Sequence, residues 1–460
     1  MTAPLGLTEW LGSYIASGDP NELPPVAIES VRHLTLDCIG CMLAGTSEPS
    51  AKIVTSSVVA WGGNPVAAVI GAGVRTSPVA AALANGTAAH ALDLDDSHHP
   101  GFLHPSAPLF PALLATAEAC NASGLDVIAG YLYGLDVIAG IGNAINPHHY
   151  LLGWHATSTI GTLAAAAGAA KVRRLPAEAV SRALGIAASN TGGVRRNFGS
   201  MTKPLHAGLA ASAGVLAAEL AAGSLSSGDE VLEGKGGWLD LNSAGRAWTE
   251  AAVREPLDHG FGLALQGLAI KRFAACGVTH PPIEAMLELR NQNGLRPEHV
   301  SRIRLVVNPL VPGIANHHRP RTGLEAKFSL EYCLAVAILD GAAGLAQFTD
   351  THVEDVAVRA MVERVEIEID PEVGMAHHMS WGCRLSVDLV AGGSLTTEVD
   401  LAKGKWLGVR LSEGEVVAKF LDSARSAGVN ELVARETAAR VLQLERISDL
   451  RRVTEALLLT

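Results

Sequence analysis

The chain has 460 residues, of which 35 are lysine or arginine and 46 are aspartate or glutamate, so its formal net charge is −11. This length predicts two or three domains and ample room for a hydrophobic core. The acidic balance argues against nucleic acid and membrane surfaces as partners, because both are negatively charged. Aromatic residues make up only 4% of the chain and glycine occurs 48 times. Such small side chains predict closely packed helices.

The N-terminal residues show no basic segment followed by an apolar run, so we expect no secretory signal and a cytoplasmic protein. The apolar stretch 205–225 is interrupted by Glu219, which favours a buried helix over a membrane span. Six cysteines in a chain of this length do not indicate a disulfide framework. Cys38 and Cys41 lie in a helical pattern, where core packing is favoured over a redox or zinc site.

The first half of the chain predicts one helix after another, because apolar residues recur with helical spacing. The predicted helices are 27–43, 77–92, 105–120, one helix holding the near-copies 125–130 and 135–140, then 155–171, 176–190 and 204–222. Glycine-rich segments at 223–237 and 242–262 are predicted to be loops near a domain edge.

The pattern changes after Lys271, where apolar and charged residues begin to alternate as they do in strands. The predicted strands are 303–307, 365–369, 384–390 and 394–401, the last two as a hairpin around Gly392-Gly393, and the predicted helices are 282–294 and 323–342. From Ser412 onward the pattern is helical again.

We therefore predict a mostly α fold with a smaller α+β domain. Residues 1–268 form the first part of a helical domain, and residues 269–403 form the α+β domain. Residues 404–460 form a helical tail that returns to the helical domain, which is then discontinuous.

A polar cluster interrupts this small, apolar chain between the predicted helices 77–92 and 105–120. Its titratable residues are Asp93, Asp95, Asp96, His98, His99 and His104. Such groups between buried helices are costly unless they are paired or functional. His104 near Asp93 is the catalytic candidate, whereas Asp95 and Asp96 could only cap the loop or orient a histidine.

Three further runs place polar residues at the start of an apolar helix: 153–161, 195–206 and 271–282. Helix N-termini carry unpaired N–H groups and partial positive charge, so they bind carboxylates and keep a nearby histidine neutral. These runs add His155, Lys203 and His280 to the candidates. The alternative is structural, with the histidines satisfied in the core and the lysine solvated.

Two histidine pairs, 317–318 and 377–378, are expected at the surface, although Arg319-Pro-Arg321 beside the first could face a carboxylate. A metal site in the cluster at 93–104 is the less favoured interpretation, since Lys203 and arginines would repel a cation. The sequence contains no glycine-rich phosphate loop, dinucleotide fingerprint or Gly-x-Ser-x-Gly elbow in a fitting context. We therefore expect neither metal nor cofactor.

The chain resembles the MmgE/PrpD family in short motifs that follow the same order over nearly its whole length. These motifs are His90-Ala-Leu-Asp-Leu-Asp-Asp-Ser, His104-Pro-Ser, Gly153-Trp-His-Ala-Thr-Ser, Met201-Thr-Lys-Pro-Leu-His and Glu325-Ala-Lys-Phe-Ser. The family includes 2-methylcitrate dehydratase, cis-aconitate decarboxylase and iminodisuccinate epimerase. The resemblance implies a large helical domain with a smaller α+β lid, usually in a homodimer.

The resemblance also implies a set of site residues. The positions that match the active site of the decarboxylase branch are Asp93, His104, His155, Lys203 and His280. The residues expected to bind substrate are Ser97 (where threonine is often found), Arg196, His206, Lys271 and Arg319. Gly153-Trp-His-Ala differs from the Gly-Trp-Asp-His of the propionate-pathway dehydratases and favours the decarboxylase and epimerase branches. His317 or His318 stands where the family has an aromatic residue before its Arg-Pro segment.

The chemistry shared by the family is proton transfer at a carbon next to a carboxylate, which requires stabilisation of the developing charge. We expect a metal-independent lyase for a small di- or tricarboxylate, with His104 oriented by Asp93 and His155 handling a second proton. The first alternative is an epimerase of a dicarboxylate such as iminodisuccinate. The second is a non-catalytic carboxylate-binding protein, which would have little use for three histidines and an aspartate.

Overall fold

The computed structural model describes residues 5–374, 381–404 and 409–458. Its α-helices, in chain order, are α1 (Leu7–Ser17), α2 (Pro25–Gly45), α3 (Pro49–Trp61), α4 (Pro78–His90), α5 (Ser106–Cys120), α6 (Gly124–Ile145), α7 (His148–Leu151), α8 (Ala156–Val172), α9 (Ala177–Ala188), α10 (Thr202–Ala222), α11 (Trp238–Asn242), α12 (Glu250–Asp258), α13 (Gly262–Gln266), α14 (His280–Asn293), α15 (Val311–Ile314), α16 (Gly323–Ala326), α17 (Leu330–Asp340), α18 (Asp350–Val353), α19 (Val356–Val362), α20 (Glu413–Ser426), α21 (Glu431–Val441) and α22 (Arg451–Thr454). Its strands are β1 (Ala67–Val69), β2 (Val74–Thr76), β3 (Ser97–His98), β4 (Leu268–Ala269), β5 (Val300–Val307), β6 (Val365–Ile369), β7 (Cys383–Leu389) and β8 (Ser394–Val399).

The described residues fall into two compact units. The helical unit takes its residues from Met1–Ala91, Asp95–Ile270 and Ser412–Thr460, and the mixed unit from Leu92–Leu94 and Lys271–Leu411. The predicted fold class, mostly α with a smaller α+β part, is confirmed. The sequence-based boundaries at 268/269 and 403/404 compare with breaks at 270/271 and 411/412.

The core of the helical unit is built from alanine-rich helices that pack closely, with α10 against α4 and α8, and α8 against α6. Gly86 of α4 and Gly208 of α10 allow this approach. A Cβ added to Gly86 would lie 2.9 Å from the Gly208 Cα, and one added to Gly208 would lie 2.3 Å from the Thr87 Oγ1. The main chains of α4 and α10 therefore nearly touch just before His90, the last residue of α4.

The helical unit differs from the predictions at the start of α10 and in the segment 242–262. α10 begins at Thr202, so Pro204 is its third residue rather than its first, and Lys203 lies in the first helical turn. The segment 242–262 was predicted as a loop, but it contains α12, whose N-cap Thr249 accepts a hydrogen bond from the Ala252 amide. The glycines around this short helix, and Pro256 within it, masked its helical pattern.

The mixed unit contains, among the described residues, a four-stranded sheet in the order β6-β5-β7-β8. β5 pairs parallel to β6 and antiparallel to β7, and β7 and β8 form the predicted hairpin. In β5 the side chains of Ile303, Leu305 and Val307 are buried, as their alternation predicts. The predicted helix 323–342 is interrupted between α16 and α17, where Ser329 caps α17.

Two of the described helices, α6 and α10, have the length and apolar composition of a membrane span. The most apolar window of α6 is 94% buried, as in the core helix of a globular domain, whereas that of α10 is 56% buried. α10 has three exposed leucines, Leu209, Leu216 and Leu220. Length and composition alone are weak grounds for a membrane span, because core helices share them.

Candidate active site

The C-terminal residue of α4 and the loop that follows it bring three ionisable side chains of the helical unit together. The His90 Nδ1 lies 2.9 Å from both carboxylate oxygens of Asp95. The His104 Nδ1 lies 3.4 Å from the Asp95 Oδ2, and the two imidazole ring centroids are 4.5 Å apart. His90 and Asp95 are fully buried, whereas the His104 side chain is 16% exposed.

The hydrogen bonds of His104 determine which of its nitrogens can act as a base. Its Nδ1 lies 2.8 Å from the main-chain oxygen of Asp96. A carbonyl oxygen can only accept, so Nδ1 carries a proton and donates it. In the neutral ring the base is therefore Nε2.

The carboxyl group of Asp96 fixes the other end of this loop to α5. It accepts hydrogen bonds from the Ser106 amide at 3.1 Å and the Ser106 hydroxyl at 2.7 Å, and that hydroxyl lies 2.5 Å from the Tyr131 hydroxyl. Burial, with the nearby charges of Asp95 and Asp37, raises the pKa of Asp96 to about 8. Burial would also raise the pKa of Asp95, but His90 and His104 hold it well below its usual range. Of these two adjacent carboxyls, Asp95 is the anion at neutral pH.

The N-terminal ends of α8 and α10 contribute a second group. His155 is the N-cap of α8, and its amide donates to the main-chain oxygen of Gly193 at 3.0 Å. Its Nδ1 lies 3.0 Å from the Nδ1 of His206, so one of these two nitrogens donates to the other. The His155 Nε2 is buried and has no hydrogen-bond partner among the residues that the structure describes. Gly193 has φ +101°, and a Cβ there would lie 2.8 Å from the Ser158 Cβ, so glycine is required.

Lys203 supplies the positive charge of this region. It is 5% exposed in the first turn of α10, and its ammonium lies 5.2 Å from the centre of the Phe198 ring. Burial and the charge of Lys203 lower the pKa of His206 to about 4 and hold that of His155 well below its usual range. Burial also lowers the pKa of His90 to about 4. Three neutral histidines therefore lie near one lysine cation at neutral pH.

Three predicted site residues, Asp93, Lys271 and His280, are buried in the mixed unit. The Lys271 ammonium is buried and donates to the carboxylate of Asp93 at 2.6 Å and to its main-chain oxygen at 2.7 Å. The His280 Nε2–H donates to the main-chain oxygen of Ala275 at 3.2 Å. Sequence reasoning missed Lys327 in this unit, whose ammonium donates to the main-chain oxygens of Leu92 and Ala274.

The remaining predicted substrate-binding residues are distributed over both units. Ser97 is half-buried in β3, opposite Ala269 of β4. Arg196 is exposed in a short turn of the helical unit. Arg319 is 80% exposed in the mixed unit and forms an ion pair with Glu363 at 3.0 Å. The pair at 377–378 lies outside the described residues.

The potential ligand atoms of His90, Asp95 and His104 all lie within 4.8 Å of one another, so this group could hold a metal ion. In the structure, hydrogen bonds occupy these atoms instead. The Nδ1 atoms of both histidines face Asp95, and the N–H of His104 is directed at a main-chain oxygen. A metal would have to replace these hydrogen bonds and would lie near the charge of Lys203.

Sequence reasoning left His90 and Asp95 out of the predicted site. The local signal was a histidine five residues before an aspartate, at the end of a helix. That spacing does not show which of three nearby carboxylates meets which histidine, since only the turn of the loop decides it.

The arrangement groups side chains that can transfer protons, and comparison with known proteins identifies the family of the chain. The model of the MmgE/PrpD N-terminal domain matches residues 9–251, and that of the MmgE/PrpD C-terminal domain matches residues 273–444. The chain belongs to the MmgE/PrpD family, as the motifs predicted.

Curated relatives of similar length share a name. The cis-aconitate decarboxylase of Aspergillus terreus (strain NIH 2624 / FGSC A1156) is 28% identical, over 99% of this chain and 96% of the relative. The cis-aconitate decarboxylase of Homo sapiens is 29% identical, over 91% of this chain and 88% of the relative. That of Mus musculus is also 29% identical, over 96% and 91%. The chain is accordingly an enzyme of the lyase type, as expected.

Proposed function

We propose that the protein is a metal-independent acid–base lyase that acts on a small di- or tricarboxylate, in the manner of a cis-aconitate decarboxylase. The observation that carries the proposal is the buried group of neutral histidines beside Lys203, with Asp95 behind His104. Full-length similarity to enzymes named cis-aconitate decarboxylase supports the substrate class.

The chemical step can be written for cis-aconitate. The bond between the CH₂ carbon and its carboxylate breaks, and carbon dioxide leaves without the bonding electron pair. That pair forms a new double bond to the central carbon, while the electrons of the original double bond take up a proton at the far alkene carbon. The product is itaconate, and the enzyme supplies one proton and stabilises the charge on the way.

The residues of the helical unit fit these tasks. The Nε2 atoms of His104 and His155 are the groups that take or deliver the proton, because neither Nδ1 is available. Lys203 stabilises the negative charge that spreads over the substrate carboxylates. Asp93 and His280 lie in the mixed unit, and their catalytic role is part of the proposal.

Proton NMR in deuterated water tests the function directly. The purified protein is incubated with cis-aconitate, 2-methylcitrate, citrate, iminodisuccinate and succinate in separate tubes. Itaconate carrying one deuterium, formed from cis-aconitate, supports the decarboxylase, and a new alkene from a hydroxy acid supports a dehydratase. Tight binding of one acid with neither exchange nor product would contradict the proposal. His104→Ala, tested at matched concentration, controls for non-enzymatic exchange.

An epimerase of a dicarboxylate such as iminodisuccinate is the second candidate. Epimerisation needs one base to remove a proton and a second acid to return it on the other face. His104 and His155 are two proton carriers of the helical unit, and the His90 ring lies 4.5 Å from the first and 5.8 Å from the second. Exchange with inversion and no change of mass beyond deuterium would favour this candidate.

Metal independence has its own test. Exhaustive chelation followed by gel filtration should leave turnover unchanged, because Lys203 rather than a metal ion stabilises the developing charge. Loss of turnover that one divalent ion restores would contradict this part of the proposal.

We also propose a homodimer in the cytoplasm. The exposed leucines of α10, Leu209, Leu216 and Leu220, form an apolar stripe that a second copy of the chain would cover. Light scattering at micromolar concentration should give twice the mass of the chain, and Leu216→Glu should shift it to the monomer. A monomeric wild-type protein would contradict the homodimer.

A further inference from the structure

The carboxylate of Asp95 lies between two histidines that have different surroundings. His90 approaches it symmetrically, with its Nδ1 2.9 Å from each oxygen, whereas the His104 Nδ1 lies 3.4 Å from Oδ2 only. The His90 side chain has no solvent exposure, so the carboxylate is its partner at Nδ1 rather than water. The proposed chemistry assigns a proton to His104 but gives no task to His90.

We propose that His90 is a positioning residue that acts on His104 through Asp95, and that this pair sets how readily the His104 Nε2 takes up a proton. The inference rests on the acid–base role proposed for His104. In this arrangement His90 donates its Nδ1 proton to Asp95 permanently, and only His104 changes its protonation state.

The first step of the argument concerns the charge of Asp95. A carboxylate without solvent exposure remains ionised only if hydrogen bonds or nearby positive charge stabilise the anion. His90 gives it an N–H donor within 2.9 Å. A His90 side chain that could not donate would leave Asp95 closer to the neutral acid.

The second step concerns the effect of that charge on His104. While the His104 Nε2 holds the proton that it delivers to the substrate, the ring is a cation whose Nδ1 lies 3.4 Å from an anionic oxygen. An anion at this distance favours the charged form of the histidine. The proton balance is simple, because the one proton that the substrate gains comes from Nε2, solvent then replaces it there, and neither Nδ1–H moves.

Charged or titratable groups on several surrounding elements act on Asp95. Those described in the helical unit are His90 on α4, His104 and Asp96 on the loop, Cys38 and Cys41 on α2, and Lys419 on α20. Lys419 forms an ion pair with Asp37 at 2.5 Å. The two histidines are the groups that hydrogen-bond Asp95 itself.

A double-mutant cycle tests the inference. The pH dependence of kcat and KM is measured for wild type, His90→Gln, Asp95→Asn and the double variant, with circular dichroism as the check on folding. Asp95→Asn should lower kcat by about a hundredfold with little change in KM. The alkaline limb of the kcat profile, where the His104 cation loses its proton, should move to lower pH by about one unit or more, because His104 loses its anion.

His90 is expected to give the same signature in a weaker form. His90→Gln keeps an N–H donor, so the alkaline limb of its kcat profile should move less than that of Asp95→Asn. The limb of His90→Ala should move further than that of His90→Gln. The double variant should be no worse than Asp95→Asn alone, because His90 acts only through that carboxylate. Losses that multiply, or a fall in kcat without movement of the limb, would show that His90 acts independently and would overturn the inference.

His98 provides a matched control. It is a buried histidine of the same loop whose Nε2–H donates to Ala264 and whose Nδ1 accepts from the Gly101 amide. His98→Gln should leave the alkaline limb in place, even if it affects stability. A movement equal to that of His90→Gln would overturn the inference, because any disturbance of the loop would then explain the result.

The titration of His104 by NMR separates this inference from the proposed function. Without substrate, the His104 ring signals should titrate at lower pH in Asp95→Asn and His90→Ala than in wild type. If no carboxylate reacts but these shifts occur, the proposed function fails and the positioning role stands. If turnover is observed but His104 titrates identically in all variants, the positioning role fails alone.

Discussion

The two ends of α8 bury polar nitrogens in opposite ways. At the C-terminal end, the Lys171 ammonium donates to the main-chain oxygens of Ile15, Ala16 and Gly18. At the N-terminal end, about 25 Å away, the His155 Nε2 is buried without a partner among the described residues. A buried group with every bond satisfied stabilises the fold, whereas one left unsatisfied lowers stability and is available to a ligand. We therefore expect Lys171 to stabilise the fold and His155 to act on the substrate.

The largest expected effect comes from exchanging the same side chain in the two regions. Lys203→Met should lower kcat by about a hundredfold or more, because its charge serves the reaction. Lys171→Met should spare kcat and cost on the order of 2 kcal/mol of unfolding free energy, because main-chain oxygens lose their donor. Steady-state kinetics and thermal melts on both variants check the pair. If Lys203→Met unfolds the protein while keeping specific activity, the comparison fails.

The next effect concerns His104. His104→Ala should lower turnover by about a hundredfold and abolish deuterium incorporation into the substrate, with little change in stability, because the side chain is partly exposed. The measurement is the NMR exchange assay combined with a thermal melt. If His104→Ala unfolds the chain and His104→Asn restores fold and activity together, the histidine is structural.

The dependence of stability on pH should have two limbs. The pKa values of the buried His90, His98, His149 and His206 are lowered to about 4 from 6.5, chiefly by burial. The unfolded chain therefore binds protons below pH 6.5 that the native state does not, and stability falls from pH 6.5 to about 4. Burial raises the pKa of Asp96 and Asp136 to about 8, so their contribution falls as pH rises from 3.8 to about 8.

The histidines outnumber these aspartates, so unfolding free energy should be greatest near pH 6.5. Urea titrations between pH 4 and 9 measure it. Asp136→Asn should flatten the alkaline limb, because the amide does not ionise. It should also steepen the acidic limb, because the opposing contribution of Asp136 between pH 3.8 and 6.5 is lost. A continuous rise in stability up to pH 9 in the wild type would refute the assignment of these carboxyls.

The smallest effect belongs to the cysteines of α2. Cys38→Ala and Cys41→Ala should each cost about 1 kcal/mol of stability by leaving a small cavity, and should spare turnover. Both side chains are buried, and the Cys38 thiol lies 3.6 Å from the main-chain oxygen of Ser106. A large loss of turnover in either variant would indicate that α2 helps to shape the site.

Most elements could be predicted from the sequence because their patterns are local. The alternation in β5 and the Gly392-Gly393 turn specify a strand and a hairpin without any knowledge of partners. α12 escaped prediction because glycines surround it and Pro256 lies within it. The interruption between α16 and α17 escaped because the apolar pattern continues across it.

The candidate site was only partly predictable for a different reason. Motifs identified His104, His155 and Lys203, but the partner of each group depends on how the chain turns back on itself. The loop after α4 directs Asp95 to both His90 and His104, and it places Asp93 on Lys271. Four of the seven residues 90–96 are ionisable, so the sequence permits several side-chain pairings. The conformation of the loop selects one of them.

The glycine contact between α4 and α10 limits how this site can be altered. Because Gly86 and Gly208 already bring the two main chains to their closest distance, the helices that bear His90 and Lys203 cannot move closer. They can move apart only by losing this contact. Redesign for a larger acid would therefore have to shorten side chains that line the site, such as Phe198. For enzyme engineering, the spacing of α4 and α10 is therefore fixed, and only the side chains that line the site can be changed.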